Sequence, residues 1–301
     1  MRRSSVIAVV LLAVASSAGA AADPGKPGKF RVGVATVTAV DGARGRSLPT
    51  EIWYPAREAA RDAPPLAKSF PLIMMAHGRC GSRTNYEYLT THLASHGFVV
   101  AAPDFVGTTS AECDAGQGKS NFDDYPFDLS FVCRTLHDKS GPLATYARHV
   151  RGIPTGQVGH SLGGTAIIVS AQIDTSFTVN VGLAPFAQAP DATNLVDLIP
   201  PRAWMVMGGT ADTLVSFDDL TVPFFEALPP PAFLVRMTGG THSGFTDMDS
   251  RLTADELAAQ QDAVKRAATP FFIRYLAHKQ KFGKRLRSFD DGAVALTARP
   301  K

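Results

Sequence analysis

The pentapeptide Gly159-His160-Ser161-Leu162-Gly163 sets one serine between two glycines, where an apolar strand-like run gives way to a helical one. A sharp strand-to-helix turn strains its central residue and brings neighbouring chain close, so glycine belongs on both sides. Such a turn aims the serine hydroxyl outward at a helix N-terminus, where free N–H groups and the helix dipole favour negative charge. Serine is a weak nucleophile, and the chemistry also needs a base, a carboxylate to orient it, and donors for an oxyanion. Of the eight histidines only His242 and His278 follow Ser161, and His278 falls inside a predicted terminal helix. His242, in the loop TGGTHSGFTDM, is therefore the candidate base, and Asp212, in MGGTADTLVS, the candidate carboxylate, with Asp218 and Asp219 as competitors further along. Upstream, AHGRCGSR carries a His-Gly pair and a second glycine. The backbone N–H groups of Arg79 and Leu162 are the candidate oxyanion donors, each typically worth ~3 kcal/mol of barrier. The His77 side chain is expected to pack beneath that loop as structure. A G-x-S-x-G pentapeptide alone also fits an ordinary tight turn, and it is the convergence of four loops that favours catalysis.

Each of these loops follows a predicted strand. FRVGVATVTAV alternates like a strand and leads through a turn-rich stretch into EIWYPA, which predicts an antiparallel N-terminal pair near a sheet edge. Beyond it strands and helices alternate. PLIMMAHG, FVVAAPD, GQVGH, TVNVGLA, AWMVMGG and AFLVRM read as strands, and TNYEYLTTHLASHG, FDLSFVCRTLHDKS and LGGTAIIVSAQ as helices. The chain is expected to close on the amphipathic helix TADELAAQQDAVKRAATPFFIRYLAHK, with the basic run HKQKFGKRLR at its end, where cations complement the dipole. Residues 105–127 are polar and irregular, a segment long enough to be a functional loop or lid. The pattern predicts an α/β fold whose mainly parallel sheet is covered by helices on both faces, with function gathered at the carboxyl ends of the strands.

A chain of 301 residues that is 45% hydrophobic and 19% charged suits one globular domain with a substantial core. Residues 1–22 are set apart: MRRSS is basic, VIAVVLLAVA is apolar, and small residues follow, the pattern of a secretory signal peptide cleaved after Ala20 or Ala22. The domain is expected to occupy residues 23–301, secreted or periplasmic, with no transmembrane anchor, since no apolar run approaches the ~20 residues required. The net charge of +3 includes Arg2 and Arg3 of that leader, so nucleic acid is not an expected partner. Three cysteines in an exported chain allow one disulfide. Cys113 and Cys133 flank a Gly/Asp-rich loop and could staple it; Cys80 with Cys113 is the alternative. No nucleotide loop or zinc-ligand spacing occurs, so no cofactor or metal is expected.

The order Ser161, Asp212, His242 is that of the α/β-hydrolases, and the chain resembles that superfamily, in particular the branch of plasma-type platelet-activating factor acetylhydrolase and dienelactone-hydrolase-like esterases. RSLPTEIWYPA, PLIMMAHGRCGSRTNYEYLTTHLASHGFVVAAPDFVG, GHSLGG, GGTADTLVS and GGTHSGFTDM stand in that branch's order. Polyester-degrading, cutinase-like members match the extended pattern less well. The resemblance implies the same triad and oxyanion residues. Dienelactone hydrolases proper use cysteine where Ser161 stands, which points to a general carboxylic-ester hydrolase acting on short-acyl or lipid esters. Amide or peptide hydrolysis on the same triad, polyester hydrolysis, and a non-catalytic binding protein on the same fold are the alternatives.

Overall fold

The structure, a computed structural model, describes residues 23–118, 122–187, 202–247, 249 and 251–300. The expected signal segment, residues 1–22, lies outside them. The elements run β1 (Arg31–Asp41), β2 (Arg46–Ala56), β3 (Ala60–Arg61), β4 (Leu72–Ala76), α1 (Glu87–Ser95), β5 (Val99–Pro103), α2 (Ser110–Asp114), α3 (Tyr125–His137), α4 (Ala144–Ala147), β6 (Thr155–His160), α5 (Leu162–Ile173), β7 (Phe177–Leu183), β8 (Ala203–Gly209), α6 (Val222–Ala227), β9 (Ala232–Met237), α7 (Ala254–Tyr275), β10 (Phe289–Asp290) and β11 (Val294–Arg299).

All eleven strands form one sheet in the order β10-β11-β9-β8-β7-β6-β4-β5-β2-β1-β3. The six from β9 to β5 in that order are mutually parallel. β1 and β2 pair antiparallel, from Arg31 opposite Ala56 to Asp41 opposite Arg46, as their alternation predicts. β4 and β5 are buried at every residue, which is what a strand covered on both faces requires and why these segments read as unbroken apolar runs. Leu129 and Val132 of α3, Ile167 of α5 and Phe224 of α6 pack into the core on one face. Leu89 and Leu93 of α1 and Phe271 and Phe272 of α7 fill the other.

Three expectations change. The terminal helix stops at Tyr275, and the chain returns as the β10–β11 hairpin, with β11 pairing antiparallel on β9. Most of the basic run forms a 3-10 segment, Gln280–Leu286, outside the helix, and His278 has left-handed backbone. The polar 105–127 segment contains helix α2, opened by a capping box between Thr109 and Glu112. The disulfide joins Cys80 to Cys113, not Cys113 to Cys133. Cys133 lies on the inner face of α3, its Sγ within 3.8 Å of Thr155 Oγ1, and burial pushes its thiol up to about 12. Helical periodicity turns Cys133 toward the sheet and away from the loop that Cys113 occupies.

Candidate active site

Ser161 connects β6 to α5 with φ 53° and ψ −118°, a left-handed conformation that costs a non-glycine residue energy. The flanking glycines make the turn possible. A Cβ on Gly159 would stand 2.2 Å from the carbonyl oxygen of Gly163, and one on Gly163 would stand 2.3 Å from that of Ala76. Backbone thus meets backbone on both sides of the serine, and the loop after β4 is pressed against the start of α5.

The other candidates converge from neighbouring strand ends. Asp212 follows β8 and His242 follows β9. His242 Nδ1 is 2.8 Å from Asp212 Oδ2, and the aspartate side chain is fully buried. The second carboxylate oxygen, Oδ1, accepts from the Leu214 and Val215 amides at 2.9 and 2.8 Å, which fixes the carboxylate's orientation. This geometry leaves Nδ1–H as donor and Nε2 free to accept a proton. Asp218 and Asp219 are instead exposed on a π-helical turn, Phe217–Thr221, where Asp219 is bonded to Ser216. Ser161 and His242 line one cleft of about 600 Å³ together with Gly78, Arg79, Phe186 and Leu214. No hydrogen bond joins Ser161 Oγ to His242 among the described residues; such contacts commonly tighten only when substrate binds.

Arg79 follows β4 in a turn closed by Gly81 N–H donating to the Gly78 carbonyl at 3.0 Å. Among the described residues the Arg79 and Leu162 amides donate to no protein group, and Arg79 lines the cleft. His77 lies beneath the loop: its Nδ1 donates to the Gly78 carbonyl at 2.7 Å and its Nε2 accepts from the Phe105 amide at 3.0 Å. Burial lowers its pKa and keeps it neutral.

The PET hydrolase-like family (PETase) matches residues 17–265, most of the chain. The chain belongs to that family. The match agrees with the dienelactone-hydrolase-like resemblance read from the sequence. Membership places the chain among ester hydrolases of α/β fold. No curated protein matches it significantly.

Several contacts that hold this site together escape sequence reading. His160 Nε2 faces the His242 carbonyl at 3.1 Å, an acceptor only, so it carries the proton. Its Nδ1 then accepts from the Tyr86 hydroxyl at 2.9 Å, and the same hydroxyl oxygen accepts from the Gly78 amide at 3.1 Å. One chain of hydrogen bonds thus links oxyanion loop, elbow and base loop. Burial, with His242 beside it, holds the His160 pKa well below the ordinary histidine value, so the imidazole is neutral. From α7, Gln260 clamps the base loop through the Thr241 amide and carbonyl at 3.0 and 2.9 Å. Asp247, just past His242, accepts from the Glu87 and Tyr88 amides and caps α1, which has no capping side chain of its own. Gln260 had one visible signal, a polar residue on the apolar side of an amphipathic helix. Tyr86 had none, because its partners are distant in sequence. Among the described residues no group of three or more His, Cys, Asp or Glu side chains could hold a metal ion, and no helix is long and apolar enough to cross a membrane.

Proposed function

We propose that this PET hydrolase-like protein is an exported serine hydrolase that cleaves carboxylic esters, short-acyl or lipid esters first among them, through an acyl-enzyme. The observation that carries the reading is the 2.8 Å His242–Asp212 pair opening into the same cleft as the strained Ser161. Ser161 Oγ attacks the carbonyl carbon while His242 Nε2 takes its proton. The carbonyl π pair moves onto oxygen, where the Arg79 and Leu162 amides stabilise it. As that pair returns, the carbon–alkoxide bond breaks and His242 protonates the departing alcohol. A water then gives its proton to His242 and attacks the acyl-enzyme; Ser161 leaves as the alcohol, recovering a proton from His242. Asp212 holds the imidazole in the useful tautomer and stabilises its cation.

The family match favours a second substrate within the same chemistry, an aromatic polyester, which release of soluble acid from polyester film would reveal. Export is supported by the expected leader and by the Cys80–Cys113 disulfide, a bond that persists in oxidising compartments.

The test is hydrolysis of p-nitrophenyl esters by the wild type beside variants whose circular dichroism is unchanged. Ser161→Ala should lose turnover by at least ~10³-fold, and Asp212→Asn by ~10⁴-fold through the wrong imidazole tautomer. Wild-type rates in Ser161→Ala would refute the assignment. A silent Asp212→Asn beside an impaired Asp218→Asn or Asp219→Asn would move the acid.

A further inference from the structure

A second cavity, of about 440 Å³, lies between the N-terminal half of α5 and the residues leading into α3, and His242 is not among its lining residues. Phe122, Pro126 and Phe127 from the start of α3 face Leu162, Ala166 and Val169 of α5 across it. Phe186 lines both this cavity and the Ser161 cleft, so the two adjoin at that residue. Leu162 lines the second cavity and is the first residue of α5, directly after Ser161. Among the described lining residues only Asp123 is ionisable, and the Thr165 hydroxyl is already bonded to the Phe186 carbonyl. Three large apolar side chains that line this cavity or the cleft are exposed: Phe127 is 49% exposed, Phe186 39% and Leu214 65%. Large apolar groups left in water around a concave site mark a surface that something apolar covers.

We infer that this cavity binds the acyl portion of the ester, and that Phe127, Phe186 and Leu162 set its acyl-chain preference; the inference rests on the serine-hydrolase reading above. The direction follows from proton transfer. His242 must protonate the leaving alcohol, so the alcohol lies on the His242 side of Ser161. His242, Ser243 and Thr246 line the cleft, and none of them lines the second cavity. The acyl group, which stays on Ser161 Oγ, is left to run past Leu162. From Leu162 to Val169 the wall extends about 10 Å along α5, at ~1.5 Å per residue. That is room for a medium-length acyl chain or an aromatic acid.

The experiment is kcat/KM on p-nitrophenyl acetate through dodecanoate for the wild type, Phe127→Ala and Phe127→Asp, with octyl acetate as a control in which only the alcohol is long. Wild-type kcat/KM should climb with acyl length, by up to about fourfold per buried methylene, and level off near decanoate. Phe127→Asp should lose tenfold or more on decanoate, on the order of two methylenes' worth of contact, with acetate and octyl acetate unchanged. Phe127→Ala should fall between. A wild-type profile flat in acyl length, or a variant that slows acetate and decanoate equally, would overturn the acyl assignment while leaving the hydrolase reading intact. Absence of turnover on every ester would instead remove the hydrolase reading, and the subsite with it.

Discussion

The Ser161 turn and the loop after β4, which the proposed mechanism brings to one reacting carbon, are held by different forces. At the turn, backbone packs on backbone: Gly159 lies against Gly163, and Gly163 against Ala76 and His77, with no side chain between them. The oxyanion loop is held by side chains from afar. Cys80 is bonded to Cys113, the Gly78 amide to Tyr86, and Arg83 forms an ion pair with Asp104. Cys80 itself has φ 54°, a turn position where glycine is usual, so the covalent tie holds a conformation the residue would not choose alone. Steric packing within a pentapeptide tolerates almost no change and is written in a motif. A loop fixed by distant partners can be loosened in steps.

The widest gap between the two regions should come from adding one methyl group. Gly163→Ala puts a Cβ 2.3 Å from the Ala76 oxygen and 2.5 Å from that of His77, and should cost at least ~3 kcal/mol of stability or prevent folding. Gly42→Ala, with nothing within 4 Å, is the control and should melt like the wild type. A Gly163→Ala protein with normal melting and turnover would break the comparison.

Removing the disulfide should act on both stability and rate. With its cysteines 33 positions apart in sequence, Cys80→Ser with Cys113→Ser should lower stability by about 3–4 kcal/mol. As the Arg79 donor loses its placement, kcat should fall by up to ~100-fold, with KM little changed. Cys133→Ser should leave kcat intact. Destabilisation with unchanged kcat would show that Tyr86 and Arg83 suffice to hold the loop.

The smallest effect is on acid stability. Burial keeps His77 and His160 neutral below the ordinary histidine range and pushes His92 down to about 4. An unfolded chain takes up these protons near pH 6.5, so their contribution is complete above that pH and lost as pH falls toward the folded values. Asp128 and Asp247, whose pKa values burial raises, act in the opposite sense from about 3.8 upward. Melting temperature should therefore decline from pH 7 to 5, each histidine contributing up to ~1.4 kcal/mol per pH unit. His92→Gln should flatten the slope; an unchanged slope would remove His92 from the account.

Much of this fold was legible because its decisive features are local. The unbroken apolar runs gave β4 and β5, and the G-x-S-x-G step gave β6, Ser161 and α5. The loops carrying Asp212 and His242 were marked by glycines after strands. What escaped depends on contacts that spacing does not record. Cys113 lies close to Cys133 in sequence, yet the helix turns Cys133 inward and the chain brings Cys80 to Cys113. The β10–β11 hairpin is short, half-exposed and edge-paired, so it lacks a buried strand's apolar run. Helix α2 did leave a trace, the Thr109-Ser110-Ala111-Glu112 capping box, inside a stretch otherwise read as irregular.

The central claim is that Ser161 is an activated nucleophile. It is tested most directly by treating the folded protein with a fluorophosphonate and measuring intact mass, with the adduct located by peptide mapping. One adduct per chain is expected, on Ser161, absent in Ser161→Ala and much slower to form in His242→Ala. A folded wild type that forms no adduct, or one whose adduct survives Ser161→Ala, would contradict it.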